Sequence, residues 1–413
     1  MTRAVPDHSE HPLRTLVISP RQFWPLDTGG KLRDFHLASE LARRGQVTYL
    51  CYTDDASPCP QNLAEPFEEI ITVPHAGSYS ASTLARGLLT RAPATVLKYT
   101  TPAMTAALAA LLERKSFDTV QVETICLAAY MPALRAAPSR PRIVTDWHNI
   151  ESELMQRHAD HITSAPKRLY ARMTASKLRA AEDRQLAETD VLLVCSARER
   201  DILRKQHPRL RVEVVENGVD AARFKAAGQN AAAGSLLFVG SMDYHANKDA
   251  VLSFAATAWP SIRKCHPDLA FRIVGRNPDS DVLALKAIDG IEVTGSVPDV
   301  LPYYSDAVAA LVPLRVGGGT RLKILEAMAA GLPVISTTLG AEGLAGTNGK
   351  HLLIADTSVE MLEAVTALRR DRERASRIAA DACDLVARTY DWRIIGRNLA
   401  ELHRSLAPER LAA

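Results

Sequence analysis

Ten short apolar runs, in two sets of five, limit most strongly what this chain can fold into. The first set is RTLVIS (14–19), VTYLCY (47–52), TVQVE (119–123), RIVTDWH (142–148) and VLLVCS (191–196). The second is SLLFVGS (235–241), AFRIVG (270–275), IEVTGSV (291–297), AVAALVPL (307–314) and PVIST (333–337). Helical stretches such as 31–44 and 167–187 lie between several of them. Runs this continuous suit strands buried on both faces, and their alternation with helices predicts an α/β chain built on parallel sheets. The restart at 235 predicts two doubly wound domains.

The expected boundaries follow. Residues 1–215 form the first domain, 216–234 a linker rich in Gly, Ala and Asn, and 235–389 the second domain. In the tail 390–413, Trp392, Ile395, Leu399 and Leu402 have helical spacing, and this helix is expected to pack back toward the first domain. A chain of 413 residues with 47% hydrophobic content can fill two cores. Ligands of such domains sit at the carboxyl ends of their strands. Lys and Arg total 50 against 47 Asp and Glu, so nucleic acid is not an expected partner. The six cysteines show no CxxC or other metal spacing and read as small core residues in a reducing cytosol. The N-terminus has no apolar signal core, and no run reaches the ~18 apolar residues of a membrane span. A cytoplasmic protein is expected.

The second set closes on VGGGTRLKILEAMAAGLPVIS (316–336), a glycine loop that follows a strand and leads into a helix. Such a loop lets backbone N–H groups approach a ligand, and a helix N-terminus favours anions. Arg321 and Lys323 add charge-assisted contacts suited to phosphate. Thr320 is placed to cap the helix, and Leu322, Leu325 and Ala329 share its buried face. A turn, a cap and a Lys323–Glu326 ion pair are the plainer account. The order strand, glycines, cations, helix favours a phosphate-bearing ligand, with a further group for Glu326 to hold.

Other stretches are weaker singly. In SPRQFWPLDTGGKLRDFHLASELARRG (19–45), Gly29 and Gly30 stand just before an amphipathic helix, where a diphosphate or sugar could reach the backbone. TDWHNIES (145–152) gathers Asp146, His148, Asn149 and Glu151 at a strand's carboxyl end, and a lone histidine there is as readily structural as catalytic. VGSMDYHANKD (239–249) offers Ser241 and Lys248 to phosphate, although Lys248 reads better as a solvated helix residue. Helix 166–187 carries Lys167, Arg168, Arg172, Lys177 and Arg179. A solvated face is the usual account of such a run, and weak attraction to anionic lipid heads at the inner face of a membrane is the alternative. The acidic pair in YTDD (52–55) is too little for a metal site, and no metal is expected.

Taken in order, these stretches resemble the family 4 glycosyltransferases of the GT-B fold. DTGGKLRDFHLASELARRGQVTYL, DWHNIE, VENGVDAARF, LFVGSM, FRIVGRNP, VTGSVPDVLPYYSDAVAALVPL and LKILEAMAAGLPVIST carry the resemblance over most of the chain. It implies two Rossmann-like domains facing across a cleft, and a retaining, metal-independent transfer of a sugar from a nucleoside diphosphate to an acceptor hydroxyl. No cofactor beyond that donor is implied. Gly29 and Gly30 would offer backbone to the diphosphate and the sugar. His148 would touch the sugar near its anomeric centre, and Glu326 would accept hydrogen bonds from the ribose hydroxyls. Arg276 and Val297 fall where the family holds the nucleobase. Ser241, Gly319, Thr320, Arg321, Leu322 and Lys323 complete the donor set, with His148 and Arg321 as the catalytic pair. Domain closure would bring Gly30 and His148 against Arg321 and Glu326.

The chain departs from the common family pattern. That pattern has two glutamates separated by seven residues, but Gly318 stands eight positions before Glu326. The usual Arg and Lys after the first strand of the second domain are also incomplete in GSMDYHANK. GGGTRLKILEAMA resembles a variant found among transferases for surface and extracellular polysaccharides, in which Arg321 and Lys323 would neutralise the leaving diphosphate. The acceptor, whether glycan, lipid-linked or small molecule, has no readable code. A nucleotide-sugar epimerase on the same fold and a non-catalytic sugar-nucleotide binding protein are the alternatives.

Overall fold

The computed structural model describes residues 12–54, 57–75, 78–227, 234–316 and 322–407. Two compact units divide the chain, one comprising residues up to Val215 with those from Ile395 on, the other Glu216–Ile394.

In the first unit, seven strands appear among the described residues: β1 (Leu13–Ser19), β2 (Gly45–Thr53), β3 (Glu69–Pro74), β4 (Thr119–Glu123), β5 (Arg142–Trp147), β6 (Val191–Val194) and β7 (Arg211–Val214). They form one sheet in the order β3-β2-β1-β4-β5-β6-β7, and every pairing is parallel. Leu16, Val17 and Ile18 of β1 are fully buried, as a strand covered on both faces requires. The strand order reverses between β1 and β4, which opens a crevice at their carboxyl ends.

The second unit repeats the plan with β8 (Ser235–Val239), β9 (Ala270–Val274), β10 (Ile291–Gly295), β11 (Ala307–Val312), β12 (Val334–Ser336) and β13 (Leu353–Ile354). Their order is β10-β9-β8-β11-β12-β13, so the reversal falls between β8 and β11. Phe238, Phe254, Phe271, Ile273 and Ile335 lie in its core.

Three strands, β3, β7 and β13, were not among the ten apolar runs. Each is an edge strand. Only Val73 of β3 and Val212 of β7 are buried, so neither strand needs a continuous apolar run. The segment read as linker is folded over its described part. Asp220 caps a short helix, Ala221–Lys225, and Phe224, 5% exposed, packs edge-on to Tyr304 in the second unit's core. Two apolar residues, Val219 and Phe224, are enough to fix it there.

The tail helix runs Trp392–Leu406. Trp392 packs against Gly218, where a Cβ would lie 2.7 Å from the indole. Further along, Gly396 lies against the Glu40 side chain and His403 is fully buried in the first unit.

Candidate functional site

The crevice of the first unit is built from three strand ends and one helix. Ser19 ends β1, Glu123 ends β4 and His148 follows β5, while Asp34 stands on the helix Gly29–Ala42. Thr28 caps that helix by accepting from the Lys31 N–H. Asp34 Oδ2 accepts from Ser19 Oγ at 2.9 Å and from Arg21 Nε at 3.2 Å. Its other oxygen, Oδ1, is buried without a hydrogen-bond partner among the described residues, 3.4 Å from His148 Nε2. Gly30, in the first turn of the same helix, lies under Arg21, and a Cβ there would lie 3.0 Å from the guanidinium. A side chain at position 30 would push on the guanidinium, so glycine there lets Arg21 lie close to the backbone.

Glu123 Oε2 lies 3.1 Å from His148 Nε2, and Glu123 Oε1 accepts from the Gln121 amide at 2.7 Å. Behind them the contacts run on into the tail helix. His403 Nε2 is 3.1 Å from Gln121 Oε1, and His403 Nδ1 is 2.9 Å from Thr119 Oγ1. Because an amide oxygen only accepts, His403 carries its proton on Nε2, and Thr119 donates to Nδ1. Burial pushes His148 down to about 4, against the pull of Asp34 and Asp146, so the ring is neutral at neutral pH. Burial, and then the Asp146 charge, pushes Glu123 up. Burial also raises Asp34, with Arg21 opposing it. The carboxylate and imidazole atoms of Asp34, Glu123 and His148 lie within 4.8 Å of one another, the donor set by which a cation could be held. The Arg21 guanidinium on Asp34 already supplies a counter-charge there.

At the β8/β11 switch point of the second unit, the helix Leu322–Ala329 carries Lys323 and Glu326. Lys323 Nζ donates to Asn247 Oδ1 at 2.7 Å and lies 4.0 Å over the Phe238 ring. It crosses Gly240, the residue after β8, where a Cβ would be 2.8 Å from Nζ. Gly275, after β9, is closer still, since a Cβ there would be 1.8 Å from the Gly240 carbonyl oxygen. Two glycines thus let the strand ends and a cation converge. Glu326 Oε2 accepts from the Tyr304 hydroxyl at 2.9 Å, and burial pushes this carboxyl up while Tyr304 opposes the rise. Arg276 Nε donates to Ser241 Oγ at 3.0 Å, and Ser241 Oγ donates in turn to Asp243.

Two family models match the chain without overlap. Glycosyltransferase Family 4 matches residues 35–223, and Glycosyl transferases group 1 matches 233–371. The chain belongs to the family 4 glycosyltransferases. Among curated relatives, the glycogen synthase of Mycobacterium tuberculosis is 28% identical over 240 residues, 55% of this chain and 57% of that protein. The phosphatidyl-myo-inositol mannosyltransferase of Mycobacterium leprae is 28% identical over 204 residues, 47% and 53% of the two chains. The matches thus span little more than half the length of these curated relatives. Among solved structures, sucrose-phosphate synthase from Thermosynechococcus elongatus superposes with a TM-score of 0.67 at 16% identity, over 95% of this chain and 99% of that one. Anabaena HepE in complex with UDP gives 0.66 at 14% identity, over 95% and 100%. Both likenesses place this family 4 chain in the GT-B fold.

Of the site residues read from the sequence of this family 4 member, Gly30 and His148 both lie beside the Asp34 and Arg21 cluster of the first unit, and Lys323 lies over the end of β8 in the second. Gly29 and Gly30 form the first turn of their helix rather than a loop before it. Ser241 meets Arg276, and Val297 is half-buried against the second unit's core, as is Leu322. Gly318, Gly319, Thr320 and Arg321 lie outside the described residues. Asp146, of the polar cluster at the end of β5, is fully buried in a two-pronged ion pair with Arg33 at 2.8 and 2.9 Å. Lys248 pairs with Asp279 and Asp281 at the surface. Arg21, Asp34, Glu123, Asn247 and Tyr304 were missed by the sequence reading. Glu123 alone left a trace, as the one charged residue in the apolar run 119–123.

Proposed function

We propose that this protein is a retaining glycosyltransferase that moves a sugar from a nucleoside-diphosphate sugar to an acceptor hydroxyl, in the synthesis of a surface or extracellular polysaccharide or glycoconjugate. The observation that carries it is the placing of both Lys323 and Glu326 on one helix at the β8/β11 switch point, with Lys323 drawn over Gly240. A cation there suits a diphosphate and a carboxylate suits the vicinal diol of a ribose. Sugar-nucleotide chemistry also fits the named relatives, among them Anabaena HepE solved with UDP-glucose. In the proposed reaction the bond from the anomeric carbon to the diphosphate oxygen breaks first, leaving an oxocarbenium-like sugar. The acceptor oxygen then bonds to the same face, and its proton passes to the departing phosphate. Arg321 and Lys323 stabilise the diphosphate, His148 orients the sugar, and no metal or further cofactor is called on. Ser241, Arg276 and Val297 complete the nucleotide's surroundings. The reaction is placed in the cytoplasm, at the inner face of the membrane.

The test is a thermal-shift panel of nucleoside diphosphates and their sugars, run on the wild type and on Arg321→Ala. A ligand at 100 times its dissociation constant adds about 2.7 kcal/mol of stability. One nucleotide should stabilise the wild type, with most of that shift lost in the variant. A panel that moves neither protein refutes the donor reading. A donor that binds but is interconverted without any acceptor identifies an epimerase instead.

A further inference from the structure

Large apolar side chains are exposed unevenly over this protein. Of the twelve exposed among the described residues, Leu84, Leu88 and Leu89 stand on the helix Ala81–Leu89, and Leu169, Tyr170 and Met173 on the helix Ala165–Ala187. Leu89 is 87% exposed and Leu169 62%. The helix Ala81–Leu89 has no fully buried side chain, and its leucines Leu84, Leu88 and Leu89 are all exposed. The two helices adjoin: Lys177 Nζ donates to the carbonyls of Gly87 and Leu88 at 2.7 and 2.9 Å. Leu84, Leu88, Tyr170 and Met173 line one groove between them, of about 210 Å³.

Charge is equally one-sided here. Residues 78–98 and 162–181 hold eight lysines and arginines and no aspartate or glutamate, in a chain whose totals are 50 and 47. The flanking Asp160 and Glu182 pair with two of the eight, Arg172 and Arg179, at 3.4 and 4.0 Å. An apolar face ringed mainly by cations is poorly suited to a second copy of itself, since a two-fold contact would set like charges against each other. It matches a surface that is apolar beneath and anionic at the rim. No described helix is long and apolar enough to cross a membrane, so attachment here would be peripheral.

We propose that the helices Ala81–Leu89 and Ala165–Ala187 form a docking surface for a bilayer containing anionic lipid. Leu88, Leu89 and Leu169 enter the acyl boundary, and Arg91, Lys167 and Arg172 meet the headgroups. The proposal goes beyond the transfer reaction, and vesicle binding can be read without any sugar moving.

The full chain is sedimented with vesicles of phosphatidylcholine, and with vesicles in which phosphatidylglycerol replaces a third of that lipid. The wild type should bind the anionic vesicles, leave the neutral ones in solution, and be released by high salt. Leu89→Asp and Leu169→Asp should each weaken binding about tenfold, from the loss of one inserted leucine. Arg91→Gln and Arg172→Gln should each cost about fivefold. Unchanged thermal midpoints and unchanged nucleotide-induced shifts would show these variants folded and donor-competent, keeping this surface separate from the donor site. Wild-type protein that ignores anionic vesicles overturns the proposal, as does binding insensitive to both leucine changes. A concentration-dependent dimer that Leu89→Asp abolishes would assign the surface to self-association instead.

Discussion

The Glu123 carboxyl and the His148 imidazole face each other at 3.1 Å, and this pair decides what His148 can offer a ligand. When Glu123 holds its proton it donates to Nε2, and the ring carries its own proton on Nδ1. When Glu123 is ionised, His148 must donate from Nε2, and Nδ1 becomes an acceptor. Because burial pushes Glu123 up, this exchange moves toward neutral pH and above. Glu123→Gln keeps the shape and removes the proton exchange. Turnover should fall about tenfold, the worth of one charge-assisted hydrogen bond, with donor KM little changed. Wild-type turnover should decline as pH rises through the raised Glu123 value, and the variant should lack that limb. An identical pH profile in both proteins would make Glu123 purely structural.

Glu326 is held by Tyr304 through one oxygen. If its carboxylate reads a ribose diol, Glu326→Gln should weaken nucleoside-diphosphate binding about tenfold. Binding of the 2′-deoxy nucleotide, which has already lost one hydroxyl, should fall much less. Titration calorimetry on both ligands with both proteins gives the coupling directly. Equal losses for the two nucleotides would place Glu326 away from the diol.

How legible the site was depended on whether its determinants are local. The glycine, cation and carboxylate order around Lys323 and Glu326 is contiguous, and it could be read with the helix it opens. The apolar runs likewise announced the central strands, because burial on both faces leaves few polar residues to interrupt them. The role of Asp146 could not be read because its partner, Arg33, is 113 positions away in the sequence, and only the fold makes the pair. Arg21, Asp34 and Glu123 come from three elements, and nothing in their sequence spacing brings them to His148. The same holds for Tyr304, brought to Glu326 by the packing of a short helix, Leu301–Ser305. Apolar periodicity located the tail helix but passed over His403, since a buried polar residue breaks the pattern by which burial is recognised.

The glycines at the second switch point separate stability from binding. At Gly275 a methyl group would meet the Gly240 carbonyl oxygen at 1.8 Å, and backbone cannot move aside cheaply. Gly275→Ala should cost about 3 kcal/mol, read as a large fall in thermal midpoint. At Gly240 the methyl group meets the ends of the Lys323 and Asn247 side chains, each 2.8 Å away, and both can swing. Gly240→Ala should therefore stay within about 1 kcal/mol of wild-type stability. It should also weaken diphosphate binding about tenfold, because Lys323 is displaced. Gly240→Ala with intact affinity would show that the position of Lys323 is immaterial to the ligand.

His403 makes the last expectation, and its sign follows from burial. Its folded value is pushed down to about 4 from the ordinary 6.5. As pH falls through that window, the unfolded chain takes up a proton that the folded chain refuses, so stability drains away with acid and is present above it. Between about pH 6.5 and 4.5 one such histidine costs about 2 kcal/mol. His148, also held near 4, acts in the same direction. Raised carboxyls such as Glu123 act the opposite way, because the folded state holds their protons and loses stability as pH rises. A difference between two proteins removes these shared contributions. In His403→Gln the loss of unfolding free energy over that interval should be smaller than in the wild type by about 2 kcal/mol, measured by urea unfolding at each pH. The variant will start lower, since Thr119 loses its bond to Nδ1. A gap between wild type and variant that stays constant across the interval would mean that the folded chain protonates His403 as readily as the unfolded chain does.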